Sequence, residues 1–319
     1  MRALITGING FVGGHLAEHL LSSGLWEVAG IARQPALALE TLTGRVTYVA
    51  ADLSDREQTL RALASIRPDV IFHLAGQSNV PHAFADPHTT VQMNIGAQLN
   101  LFLSVLQLRI DPLIIVASSN EIYGLVRPED LPVNEQTPLR PVNPYAVSKA
   151  AQDLFAYQYH ISHRMRTVRL RPFNHIGPRQ TEAFVVPAFA AQIARIEAGL
   201  QPPVLRVGNL AAERDFSDVR DIVRAYELAA LHGEVGAAYN VGSGQAVGVQ
   251  RILDILLTFS THDIQIEPDP SRMRPSDVPR VVCDASRFHA DTGWTPRIPL
   301  EQTLFDTLEY WRFRVQEQL

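Results

Sequence analysis

At 319 residues with 46% hydrophobic side chains, the chain carries enough apolar material for one large or two modest packed domains, which excludes a disordered protein. A net charge of −5 excludes a general polyanion binder, so nucleic acid is not an expected partner and any phosphate recognition must be local. Its one cysteine, Cys283, excludes a disulfide framework and a cysteine metal site, and suits a reducing cytoplasm.

Ala3 to Thr6 is a short apolar run that reads as a buried strand, with no room ahead of it for a signal peptide. No apolar run approaches the roughly 18 to 20 residues of a membrane span, so no membrane contact is expected. Gly7-Ile8-Asn9-Gly10-Phe11-Val12-Gly13 follows, then a helical pattern with Val12, Leu16, Leu20 and Leu21 inward. Strand, glycine turn and helix together are the setting of a dinucleotide site. Gly7 permits the tight turn, Gly10 lets the backbone approach a pyrophosphate, and Gly13 lets helix and strand pack closely. An ordinary βα turn is the bland alternative.

The next strand, Glu27 to Ala32, ends at Arg33, where an NAD site would place an acidic residue for the ribose 2′-hydroxyl. An arginine suits a 2′-phosphate, which favours NADP(H) and leaves NAD(H) possible; the alternative is a solvated surface arginine. Val46–Ala50 reads as strand, Ser54–Ile66 as helix, Asp69–Leu74 as strand, Val91–Leu108 as helix and Leu113–Ala117 as strand. Repeated βα units imply a doubly wound parallel sheet of the Rossmann type, with ligands beyond the strand C-termini. Asp52, His73, Ala75-Gly76 and Ser118-Ser119-Asn120-Glu121 are the candidates there.

Asn143 is a good N-cap and Pro144 suits the first helical position, so Tyr145 and Lys149 fall one turn apart on one helix face. An ammonium beside a phenol favours the phenolate, which makes the pair a proton donor and acceptor near neutrality. An exposed tyrosine and a solvated lysine on an amphipathic helix are the alternative. Met165–Arg171 reads as another strand, after which Pro172 to Arg179 should be irregular. Residues 1–171 are therefore expected to bind the dinucleotide, with a return of about 216–244, and residues 172–319 to form a smaller α/β substrate unit. Arg214 and Arg274 could clamp a diphosphate in bidentate fashion. His160 and His163 stand one turn apart without a third ligand, so no metal is expected.

Gly7-x-x-Gly10-x-x-Gly13, Asp52-Leu53, His73-Leu74-Ala75-Gly76, Ser119-x-Glu121-x-Tyr123-Gly124 and Tyr145-x-x-x-Lys149 resemble the extended short-chain dehydrogenase/reductases that act on nucleotide sugars. The resemblance runs along essentially the whole chain. It implies that Asn9, Phe11, Val12, Leu53, Leu74, Ala75 and Gly76 join the glycines, Arg33 and Asp52 around the cofactor, with Asp52 at the adenine. It implies Ser119 on the substrate oxygen, Tyr145 as acid/base, and Lys149 on the cofactor ribose, lowering the tyrosine pKa. Asn94 matches a motif residue near that site, with helix capping or packing as its alternative; Glu121 is either acid/base or a solvated loop carboxylate.

Phe173-Asn174-His175-Ile176-Gly177-Pro178-Arg179, Val207-Gly208-Asn209-Leu210 with Arg214-Asp215-Phe216, and Arg274-Pro275-Ser276-Asp277 resemble the GDP-mannose branch of that family. This implies Ser78, Asn174, Arg179, Val207, Arg214 and Arg274 at a nucleotide-sugar. Members of the branch either dehydrate GDP-mannose or reduce the C4 ketone of a GDP-linked 4-keto-6-deoxyhexose to GDP-D-rhamnose. Pro187-Ala188, where the dehydrating members carry a basic pair, and Arg33-Gln34-Pro35-Ala36, a poor match to their cofactor-bracing segment, favour the reductase; Glu121 points to the dehydratase. An epimerase is a weaker third. A protein that merely senses the dinucleotide would not need Ser119, Tyr145 and Lys149 together. The resemblance also implies a homodimer formed through the helices around Val91–Leu108 and Asn143–His160, with burial of those helices in the core as the alternative.

Overall fold

Ala3, Leu4 and Ile5 are fully buried. They lie on β1 (Arg2–Thr6), inside a parallel sheet covered on both faces, which is why the strand reads as an unbroken apolar run rather than an alternating one. The structure is a computed structural model that describes residues 1–273 and 278–317.

Strand and helix then alternate. α1 (Phe11–Ser23) ends at Gly24 in the left-handed conformation, β2 (Glu27–Ala32) and β3 (Thr47–Ala50) follow, and α2 (Arg56–Ile66) is capped by the Asp55 carboxylate. After β4 (Val70–His73) come two short helices, α3 (Val80–Ala85) and α4 (Pro87–Val91). A π-helical turn at Gln92–Gly96 joins them to α5 (Ala97–Leu108), so the single helix expected from Val91 is broken at its start. β5 (Leu113–Ala117) leads to α6 (Pro144–His163), and β6 (Thr167–Pro172) to β7 (Asn174–Ile176).

The remaining chain supplies α7 (Val185–Glu197), β8 (Val204–Val207), β9 (Glu213–Asp218), α8 (Val219–His232) and β10 (Ala238–Val241). It ends with β11 (Ala246–Gly248), α9 (Val249–Thr258), β12 (Gln265–Pro268), α10 (Ser286–Thr292) and α11 (Leu300–Gln316).

The main sheet is seven-stranded and parallel, in the order β10-β6-β5-β4-β1-β2-β3. α1 and α8 cover one face and α2, α5 and α6 the other. The winding reverses between β1 and β4, so the loops after these strands diverge and leave a crevice at the carboxyl end of the sheet. The seventh strand comes from far along the chain. Residues 213–218 stay outside this sheet as β9, and the return to it begins with α8.

A second unit stacks α7, α9 and α11 around Ile193, Leu205, Phe216, Ile252 and Leu304, with a three-stranded sheet β11-β9-β7 and the pair β12-β8. β7 corrects the expectation that Pro172 to Arg179 is irregular: Asn174–Ile176 pairs in parallel with Phe216–Asp218. Only a partner some forty residues away makes it a strand, and local composition does not report such a partner. No helix among the described residues is long and apolar enough to cross a membrane.

α6 is anchored by charge. Asp153 is fully buried and accepts hydrogen bonds from Arg171 Nε (2.8 Å) and Nη2 (2.9 Å) and from Arg169 Nη1 (3.1 Å), both on β6. Burial alone would raise its pKa; the Arg171 bonds and the two guanidinium charges hold it below the usual carboxylate range. Asp153→Ala would strand the buried Arg171 and the half-buried Arg169, and is expected to lower stability by about 3–5 kcal/mol in urea unfolding. A loss below 1 kcal/mol would show that the pair does not anchor the helix.

Candidate active site

Gly7 has φ of 75°, and a Cβ on Gly13 would stand 2.3 Å from the Gly7 carbonyl oxygen, so both positions require glycine. Gly10 caps α1 with no side-chain hydrogen bond, leaving the first-turn amides open to an anion. The residues present therefore fit a dinucleotide pyrophosphate. A cavity of about 230 Å³ runs from here past Arg33, Asp52, Leu53, Leu74 and Ala75, at the ends of β2, β3 and β4. Arg33 is exposed at its mouth, and Asp52 accepts a bond from the Ser54 amide (2.9 Å). Asn9 braces the loop after β2, donating to Ala36 O (2.9 Å) and accepting from the Ala38 amide (3.0 Å).

A second cavity, about 290 Å³, shares Gly7, Gly10, Leu74 and Gly76 with the first and continues between the two units, past Phe11 and Val12. Ser119, Tyr145 and Lys149 meet at its base. Ser119 follows β5 and accepts from the Glu121 amide (3.2 Å), opening a short 3₁₀ turn at Asn120–Tyr123. Asn143 caps α6 by accepting from Ala146 N (2.7 Å), and its Nδ2 donates to Glu121 Oε2 (3.1 Å). One side chain thus ties the helix start to the segment that carries Ser119.

Tyr145 is 9% exposed and Lys149 5%. Burial pushes the phenol up to about 12; the hydrogen bond with Ser119 pulls it down and the Glu121 charge raises it further. Burial pushes the ammonium down to about 8. The fall expected in the tyrosine pKa is therefore not its net direction, which burial decides. The Lys149 Nζ donates to Ala117 O (2.7 Å), and desolvation of the buried phenol outweighs what the spacing on the helix suggests. At pH 7 both groups carry their protons.

Ser78 and Asn174 line the same cavity, and Asn174 Oδ1 is buried without a partner among the described residues. Arg214 lines a small adjoining pocket with Glu121, Asn120 and Asn143. Two residues expected at the substrate lie elsewhere. Arg179 donates to Glu18 (2.7 Å) and to His15 (3.3 Å), pinning the inter-unit segment to α1. Val207 is 2% exposed, inside the apolar core of the second unit. Arg274 lies outside the described residues.

Asn94 sits in the π turn and spends its whole amide on packing. Its Oδ1 accepts from Gln77 N (2.7 Å), and its Nδ2 donates to Gln77 O (3.1 Å) and Ser148 Oγ (2.8 Å). It locks the loop after β4 to α6 beside Lys149. Asn120, one of the residues expected beyond the strand ends, lines the cavity; Gln77, His175 and Gln180 also line it and were not singled out from sequence, because neutral amides and a lone histidine carry no spacing signal. A larger open groove of about 890 Å³, past Pro132, Cys283 and Trp294, contains none of the chemistry-bearing residues.

The sequence model of the family described as GDP-mannose 4,6 dehydratase matches residues 4–307. The chain is 38% identical over 317 residues to a GDP-6-deoxy-D-mannose reductase of Pseudomonas aeruginosa, covering 99% of each. It is 29% identical over 346 residues to a GDP-mannose 4,6-dehydratase of Vibrio cholerae, covering 94% of this chain and 91% of that one. Among solved structures it resembles RMD from Pseudomonas aeruginosa complexed with NADPH, with a TM-score of 0.86 and 36% identity over 98% of this chain and 99% of that one.

Lys149 is the sole lysine in the sequence, so its titration can be read without assignment. Protein grown on [ε-¹³C]lysine should show one side-chain resonance titrating near pH 8. A midpoint close to 10.5 would mean the ammonium is not desolvated.

Proposed function

Because this chain belongs to the GDP-mannose 4,6 dehydratase family, of the extended short-chain dehydrogenase/reductase type, we propose that it reduces the C4 ketone of GDP-4-keto-6-deoxy-D-mannose to GDP-D-rhamnose with NADPH. The observation that carries this reading is the end-to-end match to a GDP-6-deoxy-D-mannose reductase, in a chain whose Ser119, Tyr145 and Lys149 converge at the base of one cleft. In this reading residues 1–171, with the return through α8 and β10, hold the dinucleotide, and residues 172–319 hold most of the nucleotide-sugar. Both ligands belong to cytoplasmic metabolism, and the cytoplasm is the proposed location.

A bound NADPH supplies the hydride. Gly7, Gly10 and Gly13 would admit the pyrophosphate, Arg33 would hold the 2′-phosphate, Asp52 and Leu53 the adenine, and Leu74, Ala75 and Gly76 line the crevice that would take the rest. Lys149 holds the ribose. Ser119 hydrogen-bonds the substrate oxygen as charge develops on it, and Tyr145 gives that oxygen its phenolic proton. Burial keeps the phenol protonated at neutral pH, the form a donor needs, and the Ser119 bond eases its release. Ser78 and Asn174 would face the sugar, and Arg214 the diphosphate.

One observation favours a second reading. Glu121 lines the cavity with its carboxylate oriented by Asn143, where it can serve as the acid/base of a GDP-mannose 4,6-dehydratase. Incubating the protein with GDP-mannose alone, and separately with the keto sugar plus NADPH, separates the two. NADPH oxidation with the keto sugar, yielding GDP-rhamnose, is the expected result; conversion of GDP-mannose without reductant would make this the dehydratase. Tyr145→Phe should lower kcat by about 10²- to 10⁴-fold and leave NADPH affinity unchanged. Retained turnover with chemistry rate-limiting would remove Tyr145 from its role.

We also propose a homodimer. Val147, Leu154 and Ile161 recur every seven residues along α6 and stay exposed, Leu154 at 55% and Ile161 at 61%, beside the half-exposed Tyr157. Leu154→Glu should convert a dimer to a monomer in light scattering; a wild type that is monomeric at all concentrations would refute the assembly.

A further inference from the structure

Two glutamines line the cleft, one from each unit. Gln77 lies in the loop after β4, on the dinucleotide side, and Gln180 in the segment between β7 and α7, on the side of the second unit. Both are nearly buried, Gln77 at 9% exposure and Gln180 at 6%. Gln77 Nε2 donates to Asn79 O (2.7 Å), and Gln180 Nε2 donates to His175 O (3.1 Å). A backbone carbonyl can only accept, so the atom facing each must be the nitrogen, and the orientation of both amides is settled. Each Oε1 is then left buried, an acceptor with no donor among the described residues.

A buried amide oxygen calls for a donor. The pyrophosphate and the ketone of the proposed ligands are acceptors and cannot supply one. The shared chemistry that can is an O–H or N–H group, from the hexose hydroxyls, from the ribose hydroxyls or from the nicotinamide carboxamide. The dinucleotide ribose lies with Lys149 in the reading above, whereas Gln180 belongs to the second unit, the side of the nucleotide-sugar; a hexose brings two neighbouring hydroxyls there, on C2 and C3, and the carboxamide is a single group. We infer that Gln77 and Gln180 are the acceptors that read the C2 and C3 hydroxyls of the sugar and so set which hexose the cleft retains. This rests on the nucleotide-sugar reading above. A site built around such acceptors discriminates against a sugar that lacks the matching hydroxyl, because the oxygen is then left unpaired.

The test is calorimetric titration of the NADPH-loaded protein with GDP-mannose, GDP-2-deoxymannose and GDP-3-deoxymannose, none of which NADPH can reduce. Wild type should bind each deoxy sugar about tenfold more weakly than GDP-mannose. In Gln77→Met and Gln180→Met, the preference for one hydroxyl should vanish while that for the other persists, a coupling that general loosening of the fold would not produce. Equal binding of all three sugars by wild type overturns the inference without any variant, and so does a preference that survives both substitutions. The cofactor arm uses the reduced 3-acetylpyridine analogue of NADPH, which has no amide N–H. If the glutamine substitutions weaken NADPH but not this analogue, the acceptors read the nicotinamide and the hydroxyl assignment falls. Turnover of the keto sugar is measured in parallel: its absence with the hydroxyl coupling intact sinks the reductase reading alone.

Discussion

The cleft depends on how α6 is held against the end of the parallel sheet. Its inward face sets Tyr145, Ser148, Lys149, Gln152 and Asp153 among alanines, and buried polar groups need partners to replace the solvation they had in water. Lys149 takes the carbonyl of Ala117, Asp153 takes two arginines from β6, and Gln152 exchanges hydrogen bonds with Gln98 on α5. Asn143 caps the first turn and reaches Glu121. Apolar packing tolerates small slips; this set of bonds does not. The helix is therefore fixed in both rotation and rise, which brings the Tyr145 phenol into hydrogen bonding with Ser119.

The same burial dominates the electrostatics. It pushes Tyr145 up and Lys149 down, and with the Lys149 charge it drives His73 down to about 3, keeping the imidazole neutral. His73 meets the Thr6 hydroxyl (3.0 Å), which also accepts the Ala75 amide (3.1 Å), so the strand ends flanking the glycine turn are braced from beneath. Nearby charge and hydrogen bonding modulate the phenol, but desolvation sets its direction. A protonated phenol at neutral pH suits proton delivery to an oxygen that is gaining charge, which is the demand of a carbonyl reduction.

The crevice takes one wall from each unit, and the two walls are built differently. The dinucleotide side is backbone: glycines at Gly7, Gly10 and Gly13 where a Cβ would collide or strain, and an uncapped helix start. The other side is largely apolar, with Phe173, Ile176, Phe184 and Val185, and sets two amides, Asn174 and Gln180, among them. Arg179 stands behind this wall rather than in it, its charge taken up by Glu18 on α1, so that it fastens one unit to the other.

Much of this was legible in the chain alone, because the signals were local. An apolar run into Gly7-x-x-Gly10-x-x-Gly13 dictates strand, turn and helix through backbone sterics, and Asn143-Pro144 with Tyr145 and Lys149 dictates a capped helix with two polar groups on one face. Those arguments need only neighbours within a turn or two. The tertiary structure decided whatever depended on distant partners. It made Asn174–Ile176 a strand by pairing it with β9, drew β10 back into the first sheet, buried Val207, turned Arg179 toward Glu18, and left the Gln77 and Gln180 Oε1 atoms buried with no donor among the described residues. It also reversed the expected shift of Tyr145, since side-chain spacing reports which charges are near but not how much water surrounds them.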